Sequence, residues 1–238
     1  MAVLLCLALC GLAFSAAGVA RQLLPRQFSA VQQRQIMAWE MSRRWRALSA
    51  GQLFPAEVDY KVPAQALDAS QGLPLAARRL GIAPQATCAT GVSATGARAL
   101  AARDCTALLR ATYIDASGSM LVTLGIAVLP GSAAATEAAR QLSAQHGLTA
   151  AVRAFAVART PAAGFRDSQR QLSVAIAAGP YVIMATAGFT DGRPHVQLST
   201  DYYYDQEMTS LADAMAAAAA TRIGTRPPVP SCPGAPGC

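Results

Sequence analysis

The chain contains no asparagine, one lysine at position 61, and two histidines, His146 and His195. Codons for lysine and asparagine are rich in A and T, so this scarcity describes a GC-rich gene rather than a fold. The lack of histidine has chemical consequences. Neither ring has an identifiable serine partner and no Gly-x-Ser-x-Gly run occurs, while Ser117, in Ala-Ser-Gly-Ser, reads as a turn serine. No Gly-x-Gly-x-x-Gly follows a strand and no Walker loop is present. Gly91 and Gly96 only bracket a helix start, which argues against nucleotide binding. After Arg21 no complete catalytic or metal-binding motif can be read.

Charge is missing from the first stretch, Met1 to Ala20, and Arg21 ends it. An apolar run of about 20 residues can cross the ~30 Å hydrocarbon core as a helix. Residues 1–24 are therefore expected to be a transmembrane anchor. A cleaved signal peptide is the alternative, since Ser15, Ala16 and Ala17 supply the small residues of a cleavage site, but the usual basic n-region is lacking. A lipoprotein would need small residues just before its cysteine, and Leu9 precedes Cys10.

Orientation is contested within the sequence. Arg21, Arg26, Arg34, Arg43, Arg44 and Arg46 follow the segment against a single acid, Glu40, and the positive-inside rule would keep that side cytoplasmic. The cysteines point the other way. Cys88, Cys105, Cys232 and Cys238 form no Cys-x-x-Cys pair, and neither histidine stands at finger-like spacing, so no metal site is expected. Disulfides are the simpler account, and they need an oxidising compartment. Cys88 and Cys105 flank a predicted helix, Ser93 to Arg103, and a bridge would pin that helix to the following strand. In the chain-entropy model such a loop stabilises by about 3 kcal/mol. Two buried free thiols are the alternative. The expectation that reconciles both signals is a start upstream of Met1, with a basic tail, giving an amino-in, carboxyl-out single-pass anchor.

The formal charge of +7 does not imply a nucleic-acid partner, because the cluster from Arg21 to Arg46 accounts for five of the seven. A juxtamembrane basic cluster attracts anionic lipid or polymer at ~1 kcal/mol per residue near a surface, which suits a stalk. No basic, aromatic-interleaved face for DNA is present.

Residues 25–50 read as a juxtamembrane amphipathic helix, starting at Ser29 with Gln32 as capping-box partner and ending near Leu48 before Gly51. Trp and Arg on such a helix suit packing on a domain or a membrane interface. Residues 51–224 read as one extracytoplasmic α+β domain. Gln52 to Val62 alternates as a strand, and Gly72 to Ile82 has Pro74 and Gly81 placed as the start and stop of a short helix. Leu108 to Ile114 and Met120 to Val128 form a hairpin about Asp115-Ala-Ser-Gly118. A helix from Ser132 to Leu142 or His146 and a strand from Thr149 to Ala158 follow. Leu172 to Ala177 and Tyr181 to Ala187 make a second hairpin, and Thr209 or Ser210 caps a last helix running to Ile223 before Gly224. This predicts an antiparallel sheet of about five strands with helices packed on one face, and roughly 180 residues suffice for one core. Residues 225–238 form a Pro/Gly/Cys-rich tail in which Cys232 and Cys238 close a small loop or one of them pairs with another molecule.

The densest polar region holds His195, Asp201, Tyr202, Tyr203, Tyr204, Asp205 and Glu207. Asp201 and Asp205 could pair as carboxylates, or join His195 around a hard cation. The blander reading is a polar loop whose tyrosines clamp a helix to the sheet. These six residues, His195 and Asp201 to Asp205, are the candidate binding site, with no catalytic residue and no cofactor assigned.

Gln35-Ile36-Met37-Ala38-Trp39-Glu40, with Arg43-Arg44-Trp45-Arg46, Phe54-Pro55 and the Arg110 to Pro130 hairpin, resembles uncharacterised exported or membrane-anchored proteins of high-GC Gram-positive bacteria. The resemblance implies a location rather than an activity. Together these readings predict a non-catalytic, membrane-anchored extracytoplasmic module that binds a protein partner or cell-envelope component. A carrier enclosing a lipid-like molecule between apolar strands, or a hydrolase using His195, Asp201 and Asp205, are the alternatives.

Overall fold

The computed structural model describes residues 28–62, 72–144, 148, 151–196 and 202–225, with side chains in the last stretch from 206 onward. The apolar run before Arg21, the tail with Cys232 and Cys238, and Asp201 lie outside the described residues. Among the described residues, no helix is long and apolar enough to cross a membrane. The chain divides into two compact units, Met41–Thr225 and the remainder, of which residues 28–40 are described.

Residues 28–40 carry the start of helix α1 (Ala30–Ala47). The predicted capping box forms: the Gln32 amide donates to Ser29 Oγ at 3.3 Å, and the Ser29 amide donates to Gln32 Oε1 at 3.0 Å.

The larger unit is an α+β domain around one curled antiparallel sheet. After α1 a short helix α2 (Ala50–Leu53) is capped by Ser49, whose hydroxyl accepts from the Gln52 amide. This capping box takes Gln52 out of the expected strand, which begins instead at Glu57. Strands β1 (Glu57–Val62), β2 (Leu73–Ile82), β3 (Ala107–Ile114), β4 (Met120–Val128), β5 (Arg170–Ala178) and β6 (Tyr181–Phe189) line up in the order β1-β2-β3-β4-β6-β5. Between β2 and β3 lie helices α3 (Cys88–Gly91) and α4 (Ala94–Ala101), and after β4 comes α5 (Ser132–Ala144). Helix α6 (Tyr202–Gly224) closes the domain. On the edge strand β1, Val58, Tyr60 and Val62 point inward while Glu57, Asp59 and Lys61 are exposed, charges that discourage edge-to-edge pairing.

The sheet has six strands rather than about five, and helices cover both faces rather than one. On the first face, Val122, Leu124 and Ile126 of β4 and Ile183 and Ala185 of β6 pack against Met208, Leu211 and Met215 of α6. The hydroxyl of buried Tyr181 ties the part of α1 from Met41 onward to this face: it accepts from the Trp45 amide at 3.2 Å and donates to the Met41 carbonyl. On the second face, Leu108, Ala127, Val182 and Met184 meet Leu100 of α4 and Ala135, Ala138 and Leu142 of α5. With both faces covered, β4 and β6 are buried at every position, and no alternation is visible in them.

Three expected elements differ. Leu73–Ile82 is strand β2, not a helix, because both its edges are taken by β1 and β3. Pro74, which lacks an amide donor, is tolerated opposite Lys61 at the end of β2 that β3 does not reach. The run expected as a strand from Thr149 to Ala158 joins no ladder. From residue 151 it has no regular structure, makes a single bridge from Val152 to Val92, and crosses the second face as a strap. Helix α6 begins at Tyr202, so Thr209 and Ser210 sit well inside it rather than capping it.

Candidate functional site

The sequence-predicted residues divide between described and undescribed positions. His195 is exposed and lies along the outer edge of β5, its amide donating to the Ser168 carbonyl at 2.9 Å and its Nδ1 lying 3.2 Å from the Arg170 carbonyl. Tyr202, Tyr203, Tyr204 and Asp205 form the opening turn of α6, a helix start rather than a loop, and their side chains lie outside the described residues, as does Asp201. Among the described residues, no group of three or more His, Cys, Asp or Glu could hold a metal ion.

Cys88 and Cys105 are joined by a disulfide, with their Cα atoms 6.2 Å apart. Thr87 caps the short turn α3, its hydroxyl accepting from the Thr90 amide at 3.3 Å, and Cys105 stands two residues before β3. The bridge thus fastens α3 to the start of β3, as the cysteine spacing predicted for the neighbouring helix.

The strap from 151 to 157 is held by a polar row in the middle of the second face. Thr112 of β3, Thr123 of β4, Thr186 of β6 and Ser173 of β5 are consecutive partners across four strands. The Phe155 amide donates to Thr123 Oγ1 at 3.0 Å and its carbonyl accepts from Thr112 Oγ1 at 2.6 Å. Close approach needs glycine beneath: a Cβ added at Gly125 would meet Val152 Cγ2 at 2.7 Å, and one at Gly81 would meet Val157 Cγ1 at 2.8 Å.

Around this strap gather three arginines and one carboxylate. Asp167 accepts from the Ala154 amide at 2.9 Å, pairs with Arg153 at 3.4 Å, and lies 3.4 Å from Arg170. Arg170 is 6 % exposed, and its donors reach the Asp167 carbonyl at 3.1 Å and the Val152 carbonyl at 3.2 Å. Arg153 donates through Nε to the Val92 carbonyl at 3.0 Å, leaving half of its fork toward solvent. Arg110, on β3, has no acceptor among the described residues. Its guanidinium lies 5.5 Å from the centroid of Phe155, and its Nε is buried without a partner. Burial pushes the Arg110 and Arg170 pKa values down; Asp167 opposes the shift and Arg153 adds to it.

What brings Arg110 and Arg153 together is the Gly91-Val92 backbone. The Arg153 amide donates to the Gly91 carbonyl at 2.9 Å, and a Cβ on Gly91 would stand 3.4 Å from Arg110 Nε and 2.2 Å from Leu108 Cδ2. Sequence reasoning passed over this cluster. Its one local signal was a lone charge, Arg110, inside the apolar run Leu108 to Ile114.

A second polar group lies on the opposite face. Tyr60 is 4 % exposed, and its hydroxyl lies near the Ala116 backbone without making a full hydrogen bond. Burial, with Asp115 and Glu207 nearby, pushes its pKa up to about 12 against the opposing contact with the Ala116 backbone, and burial beside Asp115 also raises Glu207. Asp115 itself is engaged by the β3–β4 turn, accepting from the Met120 amide at 2.6 Å and the Ser117 amide at 2.8 Å. This arrangement serves the hairpin, whereas the arginine cluster holds three cationic side chains with a single carboxylate, Asp167, between them among the described residues. No family model, curated protein or solved structure matches this chain.

Proposed function

We propose that the chain is a non-catalytic binding module that works outside the cytosol, held at a membrane by its apolar run from Met1 to Ala20 and presenting its α+β domain to a protein partner or cell-envelope component. The observation that carries the reading is the Cys88–Cys105 bridge, since such bonds persist in oxidising compartments. The resemblance of the Gln35 to Pro55 region to exported or membrane-anchored proteins of high-GC Gram-positive bacteria points to the same side of the membrane. The apolar strand residues that suggested a lipid carrier, among them Leu121, Leu124, Ile126, Val182, Ile183 and Met184, fill packed cores between sheet and helices or strap.

Whole cells treated with a membrane-impermeant thiol reagent, with and without reductant and denaturant, test the reading. Cys88 and Cys105 should react only after reduction and unfolding. Free thiols shielded by an intact membrane would place the domain in the cytoplasm and remove this function.

A further inference from the structure

We propose that Arg110 and Arg153, spaced by the Gly91-Val92 backbone, form a binding site for a phosphate monoester group. This deepens the binding-module reading, resting on it only in that the domain's task is to bind.

Three features support a ligand here rather than a purely structural cation. First, the charges do not balance: three guanidiniums face one carboxylate, Asp167, leaving an excess that matches the roughly −1.5 to −2 charge of a phosphate monoester near neutral pH. A carboxylate ligand would leave part of it uncompensated. Second, the donors are unevenly used. Arg170 is spent on backbone carbonyls and Asp167, Arg153 keeps part of its fork open, and Arg110 is held by ring contact alone. Arginine forks match phosphate oxygens bidentately, and a half-buried fork with no acceptor is costly unless something fills it. Third, the site is built from fixed backbone. Gly91, packed against Leu108 with no space for a side chain, brings its backbone close to Arg110 Nε, the Gly91 and Val92 carbonyls orient Arg153, and the Cys88–Cys105 bridge anchors the turn that carries them.

The test is calorimetric titration of the detergent-solubilised, oxidised full chain at low ionic strength, with inorganic phosphate and separately with short-chain phosphatidic acid in the same detergent. Saturable binding is expected for at least one of them. A response to phosphate identifies a free or small soluble phosphate, whereas a response confined to phosphatidic acid identifies a lipid headgroup. Arg110→Gln and Arg153→Gln should each weaken binding by about tenfold, the loss of a charge-assisted contact. Arg98→Gln, on the exposed surface of α4, should leave it unchanged. If Arg110→Gln does not fold, Arg153→Gln on its half-exposed side chain carries the test. Absence of saturable binding by the unaltered chain, or an equal loss in Arg98→Gln, overturns the site. Thiol labelling tests the compartment separately, so the two readings fail independently.

Discussion

Tyr60 shows how a single buried hydroxyl leaves a mark on stability. Its phenol is neutral at ordinary pH, and its folded-state pKa, about 12, lies above that of an exposed tyrosine. Above pH ~10 the unfolded chain loses this proton while the folded chain keeps it, so stability is fully present below that pH and falls as pH rises toward 12. Tyr113 and Tyr181 are raised by burial as well and add to the same alkaline loss. Because the Tyr60 hydroxyl makes no full hydrogen bond and only approaches the Ala116 backbone, Tyr60→Phe should stay within about 1 kcal/mol of the parent by urea unfolding near pH 7 and lose less stability above pH 10. A fall of more than about 1 kcal/mol at neutral pH would mean that the hydroxyl makes a bond after all. At this scale the sequence was legible where a residue acts locally, as with Ser29 and Asp115. Arg110 and Arg153 act together only because a strap folds back across β3 and β4, and no neighbouring residue announces that.

Elements depend on close approach, and the strap over the second face is the clearest case. Gly125→Ala places a methyl 2.7 Å from Val152 Cγ2 and should cost about 1–3 kcal/mol. In Gly125→Ala/Val152→Ala the nearest contact relaxes from 2.7 Å to the Val152 Cβ at 3.3 Å, so the double variant should lose less than the sum of the singles, measured by urea unfolding at constant m. Strict additivity would show that the strap does not press on Gly125. The hairpins β3–β4 and β5–β6 were readable because turn chemistry lies between their strands. Leu73–Ile82 was not: leucine, alanine and arginine favour a helix, and only pairing with β1 and β3 makes it a strand. The strap was expected as a strand and is not one: an apolar run does not reveal whether its amides meet a ladder or a row of threonines.

Across the whole domain, one covalent bond adds to a core covered on both faces. Reducing Cys88–Cys105, or replacing both residues with alanine, should lower stability by about 3 kcal/mol and the melting temperature by about 6–12 °C. An unchanged melting temperature would mean that the turn α3 is held by packing alone. The α+β class and the antiparallel sheet were legible from the order of hairpins and helices. Sidedness was not, because an amphipathic helix states that it has a buried face without stating which side of the sheet receives it; α5 and α6 chose opposite sides.

The exposed charges on β1 have a practical side. Lys61 is the sequence's single lysine, and it stands on the sheet's outermost strand, with β2 between it and the strand that bears Arg110. Amine-directed chemistry therefore meets one side chain in the entire sequence. A fluorophore or surface tether attached there sits at the rim of the sheet and leaves every arginine of the second face untouched.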